Sequence, residues 1–207
     1  MMGMFVWSFR LTYNWAKNWK DLREVDWRYR MLHDKSPKLW VLTNLFGIQL
    51  FPTLIVYIQL IGGIRLIQLN PSLNLWMILG TALMFIATLI QVVADQQMFE
   101  FREKNQGQKR CMEEGLWKYS RHPNYFGEVL VWWSLFLMYF GAVQTIDFQL
   151  IAPLAMTALF LFISIPMMEK KILLTRPEYK NYQKRVSMLV PFFRRDNNDK
   201  AYETKAS

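Results

Sequence analysis

Gly115-Leu-Trp-Lys-Tyr-Ser-Arg-His-Pro-Asn-Tyr-Phe-Gly-Glu-Val-Leu-Val-Trp-Trp133 is the stretch in which a basic loop turns into an apolar helix. Pro123 suits the first helical position, because its ring presets a helical φ and the N–H it lacks would be unpaired there anyway. The spacing therefore predicts a helix starting at about His122. Its free first-turn N–H groups and positive dipole end would face Lys118, Arg121 and His122, an arrangement suited to phosphate. Asn124 and Glu128 stand four apart and share one helix face, with Glu128 about one turn inside an otherwise apolar run. A carboxylate at membrane depth is costly and usually faces a cavity or a partner, so Glu128 is a site candidate. The competing role is a structural ion pair with a neighbouring span.

Working outward, the 207 residues are 53% hydrophobic and 20% charged with a net charge of +9, so charge and apolar surface must be segregated along the chain. Apolar runs of about twenty residues separated by charged loops read as membrane spans. Nucleic acid is the rival explanation for the basic balance, but the basic residues lie beside the spans and no nucleic-acid-binding signature occurs. The single cysteine, Cys111, excludes an intramolecular disulfide and any zinc cluster built on several cysteines. Together with only two histidines, His33 and His122, this predicts no metal site.

Five spans are expected, near residues 1–16, 39–61, 73–94, 123–141 and 148–168, the second kinked by Pro52 and ended by Gly62-Gly63. The helix after Ala94 should continue through Arg102, carrying Asp95 and Arg102 on one side, two turns apart. Residues 169–182 read as an amphipathic helix on the membrane surface, and 195–207 as a disordered polar tail after a single membrane domain at 1–194. The loops at 17–38 and 103–122 and the tail from 169 carry seven, five and ten Lys or Arg, against one, Arg65, on the other side. The positive-inside rule then predicts a multi-pass integral membrane protein with a cytoplasmic C-terminus, in a membrane whose identity stays open. The fold class expected is an all-α transmembrane bundle.

Ser120-Arg-His-Pro-Asn-Tyr-Phe-Gly-Glu128 resembles the signature of the membrane-embedded steroid 5-alpha-reductase superfamily, most closely its DUF1295 branch. The resemblance extends to Phe9-Arg-Leu-Thr-Tyr13, Val25-Asp-Trp-Arg-Tyr29, Ala94-Asp-Gln-Gln97 and the segment from Tyr182 to Phe193. It implies NADPH-dependent reduction of a conjugated carbon–carbon double bond in a hydrophobic, steroid-like lipid. The cofactor-lining positions it implies are Arg10, Asp95, Arg102, Asn124 and Glu128. Arg102 and Arg121 would balance phosphate charge, with His122 beside them. Tyr182 would close the pocket. The family usually has two further spans before the one matching residues 1–16, including an acidic residue that polarises the substrate ketone. Its cooperating tyrosine falls on Trp7, which leaves Tyr13 as the substitute beside Glu128 in the catalytic role.

Two other readings stand beside this one. One is a structural subunit of a larger membrane complex. The other is an S-adenosylmethionine-dependent lipid or prenylcysteine methyltransferase, a class that also resembles this chain at Arg121-His-Pro123, Tyr125, Gly127 and Glu169.

Overall fold

A computed structural model describes residues 2–19, 21, 26–106, 108 and 110–194. The described residues form a membrane-spanning all-α bundle with helices α1 Met2–Asn18, α2 Trp27–Lys35, α3 Pro37–Leu69, α4 Leu75–Lys104, α5 Pro123–Val143, α6 Phe148–Thr175 and α7 Tyr179–Arg185. The helices α3, α4, α5 and α6 are long and apolar enough to cross a membrane. Of the five expected spans, four are among these helices, and the 17-residue α1 is not. The tail at 195–207 lies outside the described residues, as do Lys20, Arg23, Val25 and Lys109.

Local chemistry sets most boundaries. Asn74 caps α4, its Oδ1 accepting from the Met77 N–H at 3.1 Å, and its amide also donates to the Gly141 carbonyl at the end of α5. Pro123 opens α5 as its spacing predicts. The expected break at Gly62-Gly63 does not occur: α3 runs on to Leu69 and stops at Asn70, which takes the left-handed conformation. Gly62 lies inside the helix against Gln149, and a Cβ there would lie 2.7 Å from the Gln149 amide oxygen. Proline leaves its mark as π-helical turns, Thr43–Leu50 just before Pro52 and Phe160–Ser164 just before Pro166. Each ring lacks the N–H that the preceding turn would have used, and the ladder widens to compensate.

The expected surface helix at 169–182 is also revised. Residues 169–175 continue α6 out of the membrane, and only Tyr179–Arg185 forms a separate helix. That helix buries Tyr179 and Tyr182 against the bundle end.

The bundle is centred on the antiparallel pair α4 and α5. Gly127 lets the two backbones meet, since a Cβ there would stand 2.8 Å from the Ala87 carbonyl and 2.5 Å from Gln91. Such small-residue contacts are how helices associate where lipid removes the hydrophobic drive. Met84, Ala87 and Val131 fill this seam, and Trp7 of α1 packs against it. Contacts pair Arg10 with Asp95 and Lys17 with Phe99, so α1 runs parallel to α4. The C-terminal ends of α1, α4 and α6 and the N-terminal end of α5 consequently share one end of the bundle, where the basic loops lie.

Candidate functional site

At that end the structure encloses a cavity of about 630 Å³, bounded by α1, α4, the start of α5, the end of α6 and α7. This is the size range of ordinary small-molecule sites. Among the described residues, its one lining carboxylate is Asp95. Arg10 Nε donates to Asp95 Oδ2 at 3.2 Å and Nη2 donates to the same oxygen, while the Asn14 amide adds a third donor at 3.2 Å. Glu128 stands behind this wall. It accepts from the Trp7 indole N–H at 3.1 Å and from the Gln91 amide at 2.6 Å, with Arg10 Nη1 3.8 Å away. Arg10 Nη1 and Gln91 Oε1 are buried without a hydrogen-bond partner. Two carboxylates therefore share one guanidinium, and the cluster keeps an excess negative charge with an unused donor and acceptor beside the cavity.

A second cluster forms the opposite wall around Glu169, only 7% exposed. Its carboxylate accepts from Arg121 Nε at 2.7 Å, His122 Nε2 at 3.1 Å, the Tyr179 hydroxyl at 3.1 Å and the Gln183 amide at 2.7 Å. Arg121 Nη1 donates to the carbonyls of Gln183 and Val186 at 2.8 and 2.7 Å. The strand-like segment after α7 then clips onto the loop, with the Arg121 N–H donating to the Ser187 carbonyl and the Ser120 hydroxyl to the Leu189 carbonyl. Burial pushes the Tyr179 and Tyr182 phenols well above their ordinary range, reinforced at Tyr179 by the Glu169 carboxylate and at Tyr182 by that of Glu113.

The expected site residues meet here with altered parts. Arg10, Tyr13, Asp95, Arg102, Asn124 and Arg121 all line the one cavity, with His122 and Tyr182 beside them. Tyr13 is open at 59% exposure. Asn124 uses its oxygen on the Tyr125 N–H at 3.0 Å, and its amide nitrogen bonds no described residue. Of the phosphate socket expected at Lys118, Arg121 and His122, the last two are bonded to Glu169, a carboxylate 48 and 47 residues away. Tyr182 is no lid: 1% exposed, it points its hydroxyl at the Trp117 carbonyl and so buttresses the loop. Glu128 does not line the cavity itself and acts through Arg10 and Gln91.

Gln91, Asn14, Lys17 and Arg176 escaped the sequence-derived set, and Glu169 entered it only through the methyltransferase resemblance. Glu169 carried a usable signal, an acid closing the apolar run Ile165-Pro-Met-Met, which is the argument that selected Glu128. Gln91 lies one helical turn before Asp95, so its face could have been assigned.

Comparison with known proteins adds a family. The family described as "Protein of unknown function (DUF1295)" matches residues 1–186. An uncharacterized protein of Schizosaccharomyces pombe is 25% identical over 217 residues, covering 90% of this chain and 60% of the relative. Methanethiol S-methyltransferase 1 of Bradyrhizobium diazoefficiens is 35% identical over 80 residues, 38% of this chain and 25% of that enzyme. The methanethiol S-methyltransferase of Crocosphaera subtropica is 29% identical over 93 residues, 44% of this chain and 33% of that enzyme. This chain thus spans less than two thirds of the length of each of these relatives. No solved structure matches it.

Proposed function

Because the chain belongs to the DUF1295 family, and partial relatives carry methyltransferase names, we propose that it is an S-adenosylmethionine-dependent methyltransferase working at the membrane surface. The observation that carries this reading is the charge of the inner cavity. Asp95 and Glu128 share the single Arg10, and an excess negative charge favours a cation over a polyanion. S-Adenosylmethionine, when bound, supplies an electrophilic methyl group on a sulfonium, together with an ammonium and a carboxylate.

The residues present fit such a molecule. Asp95 attracts its positive groups, Arg10 Nη1 has no hydrogen-bond partner and would turn from its 3.8 Å ion pair with Glu128 to meet its carboxylate, and the Asn124 amide is available for a neutral hydrogen bond. Glu128 holds Arg10 and Gln91 in place and adds charge from behind. Tyr13 and Phe9 form the open side, where an acceptor enters. The relatives' names suggest a soft sulfur nucleophile as the acceptor. The basic end of the bundle faces the cytoplasm.

Reduction with NADPH is the second reading. Its supporting observation is a set of three cations at the mouth of the cavity, Lys17, Arg102 and Arg176, which form no ion pair with a described residue. Calorimetry on the purified protein in neutral detergent separates the two. Saturable binding of S-adenosylmethionine with none of NADPH is the expected result, and the reverse pattern would sink the methyltransferase reading.

A further inference from the structure

Charge is unevenly spread through the cavity. Five cations line it, Arg10, Lys17, Arg102, Arg121 and Arg176, against one carboxylate, Asp95. Glu128 and Glu169 stand directly behind the wall and raise the acids to three, so the positive excess resides in the cations left unpaired. Arg10 is bound by Asp95 and Arg121 by Glu169. Lys17, Arg102 and Arg176 remain.

These three line the same cavity. The Lys17 ammonium sits 3.3 Å from the Phe99 ring centroid, and Phe99 precedes Arg102 by three residues on the same face of α4. Arg176 caps α6 and its charge is felt at Cys111, another lining residue. Below this collar the wall between α1 and α4 is apolar and outward-facing, with Val6, Phe9 and Val92 exposed. Ten residues separate Val92 from Arg102, a rise of about 15 Å along the helix. The cavity therefore pairs a cationic rim at the headgroup level with a greasy, lipid-facing flank.

We propose that Lys17, Arg102 and Arg176 form an acid-group subsite and that the acceptor is an anionic amphiphile, carrying a phosphate beside its reactive end and an apolar chain along α1 and α4. This rests on the methyltransferase reading and narrows its substrate. Paired guanidinium groups suit a phosphate geometrically, and the apolar flank accommodates the chain. Charge then divides the chamber between two ligands: the negative inner wall holds the cationic methyl donor, and the positive rim holds the acidic acceptor.

The test uses the whole purified chain in neutral maltoside detergent, titrated calorimetrically with dodecyl phosphate, inorganic phosphate and NADPH. Dodecyl phosphate should bind saturably and inorganic phosphate far more weakly. R102Q and R176Q should each weaken dodecyl phosphate by roughly tenfold, the scale of one lost charge-assisted hydrogen bond. K38Q, which removes a basic residue outside the cavity, should change nothing. Inorganic phosphate binding as tightly as the alkyl phosphate would overturn the amphiphile, and an equal effect of K38Q would reduce the collar to general surface charge. NADPH binding that is lost in R102Q and R176Q would assign the collar to a dinucleotide and overturn the proposal. A separate titration of the unmodified protein with S-adenosylmethionine keeps the two readings apart. If it fails while dodecyl phosphate binds, the methyltransferase reading falls and the acid-group subsite stands.

Discussion

Arg121 and Glu169 are bonded across 2.7 Å between the loop before α5 and the exit of α6, both nearly enclosed. One carboxylate there organises four donor side chains and, through Arg121, the backbone carbonyls of Gln183 and Val186 at the end of α7. Removing its charge leaves a buried guanidinium unpaired, which costs about 3 kcal/mol. Glu169→Gln should therefore lower the thermal midpoint in detergent markedly, and an unchanged midpoint would show that this hub does not hold the bundle end together.

Asp95→Asn and Glu128→Gln each remove one carboxylate charge, and with it the whole excess around Arg10, with little change in side-chain shape. Both should weaken S-adenosylmethionine by roughly tenfold, near 1.4 kcal/mol, while the protein stays folded. Asn124→Ala should weaken it less, since it removes one neutral hydrogen bond. Calorimetry beside circular dichroism reads both quantities; normal binding in all three variants would leave Glu128 as an internal ion-pair partner only.

Tyr182 supports the loop through the Trp117 carbonyl. Tyr182→Phe strips that bond and should cost about 1 to 3 kcal/mol, because a buried acceptor loses its partner. The phenol is raised above its ordinary value by burial, so the folded state binds its proton more tightly than the unfolded chain does. Its contribution is complete below the ordinary tyrosine value of about 10 and declines as the pH rises above it. Alkaline unfolding followed by fluorescence should accordingly begin near that pH in the unmodified protein and be less steep in the variant.

Cys111 lines the cavity and its thiol is raised by burial and then by the Glu178 carboxylate. At about pH 8.5, where an ordinary thiol is half ionised, the thiolate fraction should be small and alkylation slow. Glu178→Gln should speed the reaction and a bound cavity ligand should slow it. Mass spectrometry of iodoacetamide-treated protein measures this, and alkylation as fast as that of a free thiol would contradict it.

Gly127 and Gly63 make a matched pair. A methyl at Gly127 would press on the Ala87 carbonyl, whereas nothing lies within 4 Å of one at Gly63. Gly127→Ala should destabilise the α4–α5 seam by about 1 to 3 kcal/mol through overpacking. Gly63→Ala should be neutral or stabilise by up to about 1 kcal/mol, the gain in helix propensity. Thermal midpoints that rank the other way would refute the close approach.

Much of the fold was legible along the chain. Apolar length marked the long helices, Pro123 marked where α5 begins, and the basic loops marked which helix ends share a side. The boundaries that failed were those decided by partners. Gly62 lies within α3 against Gln149, and the stretch after Glu169 stays in α6 with that acid bonded to Arg121. Helix spacing puts Asp95 with Arg102 and Asn124 with Glu128; Asp95, Arg102 and Asn124 line one cavity, and Glu128 stands behind its wall against Arg10 and Gln91.

By itself, the sequence determined an all-α membrane bundle with its charge gathered at one end, because residue type and helical period are local properties that need no knowledge of neighbours. Only the tertiary structure decided which charges are spent and which remain available. Arg121 and Arg102 look alike in the chain, yet one is bound by a carboxylate 48 residues away and the other faces the cavity with no ion-pair partner among the described residues. Pairing depends on distance in space, and distance in space is what a linear pattern does not contain.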